Sequence, residues 1–231
     1  VRFYDEDILT DNDWRIVLVD DRLPCGADGN PCFGRSPSAG VLWVSILEKA
    51  LAKARGCYEA TTLGTVPEGL VLLSGGLSTS DDILGHASDE LWRALESKID
   101  NDACVVGCEF ATSVGPAPDH LAASGILPDT AYCIATMASL ESTGRLVKLR
   151  ALHGTPAWQG KWHDNDPAWS NRLRSSLNFS KNANDGCFWM TFDDWARHFN
   201  RVFVCRSVDS QWTKHTARSK WAGRTAGGCP N

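Results

Sequence analysis

The sequence predicts an α+β fold, with helices early in the chain and an antiparallel sheet late in it. Before residue 100, apolar residues recur at three- and four-residue steps in two segments, which is typical of amphipathic helices. After residue 103, short β-branched and aromatic runs alternate with turn residues, which is typical of strands. The chain has 231 residues, 43% hydrophobic and 22% charged, and can therefore bury one good core or two small ones.

The region 1–37 is predicted to form strands and turns. A β-branched run at 16–21 predicts a strand, and a loop containing two prolines and two glycines follows it. Asp20 and Asp21 end the run. Adjacent carboxylates before a Pro/Gly loop are more typical of a turn than of a catalytic pair, and we interpret them as turn residues.

Two helices are predicted next. The first runs from about Pro37 to Arg55, and Gly56 ends it in the usual C-terminal manner. A segment rich in Gly, Thr and Ser follows from Ala60 to Ser80, with a predicted hinge at 74–76. The second helix covers about 88–99, where Leu and Trp residues share one face.

The later part of the chain reads as strands around a dense group of tryptophans. Thr191 and Asp194 form a capping signal for a short helix through Phe199. Trp158, Trp162 and the tryptophans near them either line a peptide groove or fill a core, and we favour the core. The predicted strands are 105–110, 131–136, 145–151, 188–192 and 201–206.

Charge and cysteine content exclude several functions. The net charge of −5 and the absence of a Lys/Arg block argue against nucleic-acid and membrane-surface partners. No apolar run approaches the roughly 20 residues of a transmembrane helix. The nine cysteines contain no C-x-x-C pair, which argues against zinc and favours reduced thiols in an intracellular, cytoplasmic protein. The chain opens with Val1 and ends on a turn-like GGCPN, so we expect it to be a piece of a longer protein. The missing signal peptide therefore says little about the parent protein.

Five blocks of residues carry a resemblance to a known family. They are 46–60 (ILEKALAKARGCYEA), 129–132 (DTAY), 149–154 (LRALHG), 157–164 (AWQGKWHD) and 185–190 (DGCFWM). In this order they resemble the calpains, cysteine proteases of papain-like fold. The calpains carry Gly-His-Ala-Tyr, Leu-Arg-Asn-Pro-Trp-Gly, Glu-Trp-x-Gly-x-Trp-x-Asp and Asp-Gly-Glu-Phe-Trp-Met at the last four. One block alone would be a weak signal, but five in order are specific.

The resemblance implies a domain organisation. Residues 1–75 correspond to the C-terminal part of the first catalytic subdomain, and residues 76–206 correspond to the second subdomain. Residues 207–231, which end in TAGGCPN, resemble the start of the β-sandwich domain that follows the protease. The nucleophilic cysteine of the family is expected upstream of Val1.

The departures from the family pattern concern catalysis. Thr130 stands at the position of the catalytic histidine, and Ala151 stands at the position of the asparagine that orients it. A threonine hydroxyl cannot take up the proton of a thiol near neutral pH, and a methyl group orients nothing. His153 occupies the neighbouring tryptophan position. It either serves as a displaced base or fills the space of the lost indole, and we favour the second interpretation.

The family also binds calcium through loop oxygens of this subdomain. By the resemblance, Asp164 and Asp185 stand at ligand positions, and Ala183 stands where a backbone carbonyl would serve. Calcium prefers six to eight hard oxygens, so we expect weak or no calcium binding. Three positions have lost the acidic side chain of the family: Val41, Ala157 and Cys187.

These departures predict a catalytically inactive calpain-like module that regulates or scaffolds by binding a protein or peptide within a longer intracellular protein. One alternative is an active calcium-dependent cysteine endopeptidase, with its cysteine outside this chain and a relocated base. Another is a purely structural linker module.

Overall fold

The computed structural model describes residues 1–5, 14–36, 38, 40–62, 64–83, 87–151, 158–179, 185–208 and 212–213. The helices are α1 (Trp43–Arg55), α2 (Val66–Ser74), α3 (Asp89–Ile99), α4 (Asp119–Ser124), α5 (Asn171–Ser176) and α6 (Phe192–His198), with a 3-10 turn at Glu59–Thr62. The strands are β1 (Arg2–Tyr4), β2 (Trp14–Ile16), β3 (Leu77–Asp82), β4 (Cys104–Glu109), β5 (Tyr132–Leu140), β6 (Gly144–Ala151), β7 (Cys187–Thr191) and β8 (Arg201–Arg206).

A six-stranded sheet organises the larger part of the molecule. Its order is β3-β8-β4-β5-β6-β7, and all neighbouring strands run antiparallel. A separate antiparallel pair joins β1 to β2. The α+β fold expected from the sequence is therefore confirmed, and the predicted second helix and late strands occur at their places.

One face of the sheet carries the main core. Trp92 and Leu95 of α3 and Trp195 of α6 pack among apolar strand residues and are at most 3% exposed. Each fully buried side chain of this size stabilises the fold by about 1.5–3 kcal/mol relative to an exposed one. This core holds the strands that carry the candidate site.

The predicted first helix is too long at its start. The structure begins α1 at Trp43, several residues after the predicted Pro37. Gly40 adopts a φ of +77°, a left-handed conformation that a right-handed helix cannot continue. The predicted end is confirmed, since Gly56 follows Arg55 with a φ of +104°.

The strand predicted at 16–21 is wrong beyond Ile16, where β2 ends. The Val17 carbonyl still accepts from the Val1 amino group at 3.1 Å, but two carbonyls after it are bound by lysines of α1. Lys53 Nζ donates to the carbonyl oxygen of Leu18 over 2.7 Å, and Lys49 Nζ donates to that of Asp20 over 3.3 Å. Asp20 also accepts a hydrogen bond from the Arg22 amide at 3.0 Å, which agrees with its interpretation as a turn residue.

Some elements were not anticipated from the sequence. Helix α2 begins with a reciprocal capping box, in which Thr65 accepts from the Glu68 amide and Glu68 accepts from the Thr65 amide. The Thr-x-x-Glu spacing was a visible signal for it. Strand β3 and the short helices α4 and α5 lie in segments that are rich in polar and turn residues. No described helix is long and apolar enough to cross a bilayer.

Candidate active site

Strands β5 and β6 bring the two predicted catalytic positions to the same end of the sheet. Tyr132 pairs directly with Ala151, and Cys133 pairs with Arg150. Thr130 lies two residues before Tyr132, so it enters the sheet where Ala151 leaves it. Tyr132 and Ala151 are buried, at 4% and 7% exposure, and the core therefore fixes this register.

The Thr130 side chain is engaged locally. It is half-buried, and its hydroxyl donates a hydrogen bond of 3.2 Å to the carbonyl oxygen of Pro128. A general base must accept a proton from the thiol and hold it. A threonine hydroxyl is too weakly basic to do so near neutral pH. General-base chemistry is therefore not available from the Thr130 side chain.

Asp129 is a feature of the site that the sequence interpretation missed. Its φ of +51° lies in the left-handed region, where glycine is favoured and Asp is among the better-tolerated residues. Its carboxylate accepts from the Thr112 amide at 2.8 Å and from the Thr112 hydroxyl at 2.6 Å. Its own amide donates to the carbonyl oxygen of Phe110 at 2.8 Å. These three bonds hold the backbone turn that leads into Thr130.

The same bonds set the charge of the site. The hydrogen bonds from the Thr112 hydroxyl and amide lower the pKa of Asp129 below its ordinary value. The carboxylate is therefore ionised near neutral pH. Where the calpain pattern has Gly-His, this chain carries an anion followed by a neutral hydroxyl.

Ala151 contributes a backbone contact only. Its amide donates a hydrogen bond of 2.8 Å to the carbonyl oxygen of Gly186, which ties the end of β6 to the turn before β7. Its methyl group can neither donate nor accept. His153, the candidate displaced base, lies outside the described residues.

Three histidines lie within the described part of the chain. His198 Nδ1 donates to the carbonyl oxygen of Asp194 at 2.7 Å, and its ring packs edge-on against Trp158 and His120. Burial lowers the pKa of His198, so its ring is neutral near pH 7. His163 Nδ1 contacts the carbonyl oxygen of Gly160 at 3.0 Å, in a different turn. None of these contacts in the described residues involves Thr130 or Ala151.

Three thiols on strands of the sheet are protonated. Burial raises the pKa of Cys108, Cys133 and Cys187 above the ordinary thiol value. Cys108 also accepts a hydrogen bond of 3.3 Å from Nε1 of Trp195 in the core. A thiol must ionise to act as a nucleophile, so these three side chains are structural.

The predicted calcium positions are only partly described. Asp185 accepts a hydrogen bond from the Cys187 amide at 2.7 Å, which is turn chemistry, and Asp164 is half-buried in the turn after Trp162. Ala183 lies outside the described residues. Within the described residues, no group of three His, Cys, Asp or Glu side chains could hold a metal ion. A protonated thiol at Cys187 replaces a hard oxygen, so the residues present fit calcium poorly.

The tryptophans beside the site are core residues, as favoured from the sequence. Trp158, Trp162 and Trp189 are at most 5% exposed. Trp158 Nε1 donates to the carbonyl oxygen of Lys161 at 2.8 Å, and Trp169 Nε1 donates to that of His163 at 3.0 Å. These indoles therefore hold the 158–169 turns against the sheet and do not line an open groove.

Comparison with known proteins agrees with this architecture. A model of the calpain family cysteine proteases matches residues 3–206. The calpain-type cysteine protease DEK1 of Zea mays is 34% identical over 239 residues, which cover 98% of this chain and 11% of that protein. The calpain-2 catalytic subunit of Mus musculus is 31% identical over 234 residues, which cover 95% of this chain and 33% of that protein. The chain therefore spans a third or less of these relatives.

Proposed function

The chain belongs to the calpain family of cysteine proteases, and on that premise we propose that it is a catalytically inactive member which acts by binding a protein or peptide. Its α+β fold is consistent with the papain-like catalytic core of the family. The family motifs assign Thr130 and Ala151 to the base and orienter positions. The observation that supports the proposal is that these two residues lie at adjoining strand ends and that neither side chain can hold a catalytic proton.

The size of the expected defect supports inactivity. Cysteine proteolysis requires a thiolate, a histidine and a group that orients the histidine. Removing members of such a triad costs about four to six orders of magnitude in turnover. That loss corresponds to roughly 5–8 kcal/mol of transition-state stabilisation. An oxyanion hole alone does not recover it.

The anionic Asp129 beside the hydroxyl of Thr130 gives the site a different polarity from that of a protease. We propose that the surface at this strand end serves recognition within a longer multidomain protein, as a regulator or scaffold. The relatives are much longer chains, which supports the presence of other domains. The described cysteines are all free thiols, which supports an intracellular location.

We also propose that calcium binds this region weakly or not at all. The support comes from Cys187, whose protonated thiol stands at a family ligand position, and from Asp185, whose Oδ1 is already bonded to a backbone amide.

A proteolysis assay on the full-length parent protein tests the proposal. A thiol-directed activity probe and a fluorogenic peptide substrate are applied with and without calcium, beside an active calpain as the positive control. We expect neither labelling nor turnover above the background. Calcium-dependent cleavage at a rate within about a hundredfold of the control would refute the proposal.

The rival hypothesis of a relocated base makes a separate prediction. If His153 served as the base, His153→Ala would abolish a measurable wild-type activity, and the rate would follow one ionisation near pH 6.5. Under our proposal, wild type and His153→Ala are equally inactive, and both bind partners equally.

A further inference from the structure

Strand β3 is paired along one side only in the described part of the chain. Its six residues pair one by one with β8, from Leu77 opposite Arg206 to Asp82 opposite Arg201, without a register shift. β3 is the first strand in the sheet order, so no described strand lies on its other side. Every second residue of an edge strand turns its backbone N–H and C=O outward, where they can accept another strand.

This edge lacks most of the devices that protect sheet edges. Five of the six residues of β3 are exposed. The strand contains no proline, no lysine and no bulge, which are the usual means of preventing edge-to-edge pairing. Asp81 and Asp82 at one end are its only charges. The backbone of β3 is therefore regular, accessible and open to a partner with compatible side chains.

The side chains of β3 divide into two rows. On one face of the sheet, Ser78 donates to the carbonyl oxygen of Val204 at 3.4 Å and Asp82 forms an ion pair with Arg201 at 3.2 Å. The other face carries Leu77, Thr79 and Asp81, here called the Leu77 row, because side chains alternate along a strand. In β8 their direct partners are Arg206, Val204 and Val202. Leu77 is 57% exposed. Among the described residues, Asp81 forms no ion pair.

The Leu77 row therefore presents an apolar side chain, a hydroxyl and a carboxylate at successive positions along one face of the edge strand. A strand added to this edge would place its own side chains opposite them, about 4.5–5.5 Å away between Cβ atoms. Opposite Asp81, a lysine or arginine is favourable and a carboxylate is unfavourable. Opposite Leu77, a β-branched or other apolar residue is favourable.

We propose that the outer edge of β3 binds an extended peptide segment of a partner protein as an added antiparallel strand, with a basic residue facing Asp81 and an apolar residue facing Leu77. Main-chain hydrogen bonds supply the affinity, and the side chains of the Leu77 row supply the selectivity. This interaction surface is independent of Thr130 and Ala151, and it stands whether or not the cleft hydrolyses peptides.

The test uses a designed peptide and the chain described above. The probe is a fluorescein-labelled, end-capped heptapeptide, Thr-Lys-Thr-Val-Thr-Val-Thr, whose lysine and valines form one row. Fluorescence anisotropy measures its binding. Two N-methylated forms of the peptide are compared, each methylated at the backbone amides that point to one edge of the peptide. They separate backbone pairing from charge attraction. We expect one form to bind like the parent peptide and the other to lose binding, because only one edge of the peptide can face β3.

Charge variants test the register of the added strand. Asp81→Lys should weaken binding of the probe by about tenfold, since it converts a favourable cross-strand pair into a repulsive one. A probe with glutamate in place of lysine should show the reverse preference. Glu141→Lys, the same charge change at an exposed residue of the β5–β6 turn, should leave binding unchanged.

Hydrogen exchange locates the bound peptide. Saturating probe should slow exchange at alternate amides of Leu77–Asp82. The proposal is overturned if the probe does not bind at about 1 mM, or if both N-methylated forms bind equally. It is also overturned if sedimentation shows that the chain alone dimerises through this edge, because a second copy would then be the occupant.

Discussion

The contact between Gly107 and Phe203 gives a sharp prediction about the sheet that carries the site. Gly107 lies in β4 and pairs with Phe203 of β8 on one side and with Cys133 of β5 on the other. The Phe203 ring lies over the glycine and is 4% exposed. A Cβ on Gly107 would stand 2.1 Å from Cε2 of Phe203, 2.6 Å from its Cζ, and 2.9 Å from the carbonyl oxygen of Tyr132.

These distances determine the expected cost of Gly107→Ala. Ordinary contacts of a Cβ lie at 3.4–4 Å, so the ring must move by more than an ångström inside a packed layer. Overpacking of this kind costs about 1–3 kcal/mol. Replacing glycine by alanine in the unfolded chain returns about 0.4–1 kcal/mol through lower entropy. We therefore expect a net loss of about 1–2 kcal/mol in the free energy of unfolding.

Urea denaturation followed by tryptophan fluorescence measures this loss as a lower midpoint with an unchanged slope. Gly115→Ala is the matched control, because no atom lies within 4 Å of a Cβ there. Combining Gly107→Ala with Phe203→Leu should reveal a favourable coupling of about 1 kcal/mol, since the smaller side chain vacates the space. An unchanged midpoint for Gly107→Ala, or additive effects in the double variant, would refute this account of the contact.

Other predictions concern the site and its supports. Asp129→Asn should flatten the acid limb of stability below about pH 4, measured by thermal melts at several pH values. The sign follows from the lowered pKa: the stabilisation by the ionised Asp129 is complete above its unfolded pKa and is lost as the pH falls through the lower folded pKa. Cys187→Glu should strengthen terbium or calcium binding by at least about tenfold, read by tryptophan-sensitised luminescence, and equal luminescence titrations would contradict the assignment. Thr65→Ala should lower the free energy of unfolding by about 1 kcal/mol, because the Glu68 amide at the start of α2 loses its acceptor.

The sequence predicted those helices and strands that carry a local signal, such as a capping residue, an apolar stripe or a β-branched run. Helix α3 has its Ser88 cap and one apolar stripe, and β8 is a short run of β-branched and aromatic residues. Strand β3 has no such pattern, because LSTSDD contains one apolar residue. It is a strand because β8 supplies a complete ladder of partners, and this is a tertiary effect that outweighs local propensity.

The sequence motifs pointed to the strand end that carries the candidate site, but they did not point to the role of Asp129. Ordered motifs predicted that Thr130 and Ala151 stand at the substituted positions. The pairing of Tyr132 with Ala151 brings the backbones of Thr130 and Ala151 to one strand end. The motifs did not reveal Asp129 as an anchored anion. Its partner, Thr112, lies 17 residues upstream, and only the folded chain brings the two together.

The backbone and the chemistry of this site depend on different residues. The register of β5 on β6 is fixed by apolar side chains of the core, such as Leu149 and Ile134, which face each other across the two strands. Thr130 is half-buried and adds little to that packing, and Ala151 contributes only a buried methyl group, so the strand ends remain in place when these residues change. It follows that Thr130→His with Ala151→Asn should fold at a cost of about 1–3 kcal/mol for the buried amide of the asparagine, and that the exposed carboxylate of Asp129 would then stand directly before the introduced imidazole. Because a neighbouring anion raises the pKa of a histidine, we expect that imidazole to titrate above its ordinary value of about 6.5. An NMR titration of the double variant that gave a pKa below this value would show that Asp129 does not set the polarity of the site.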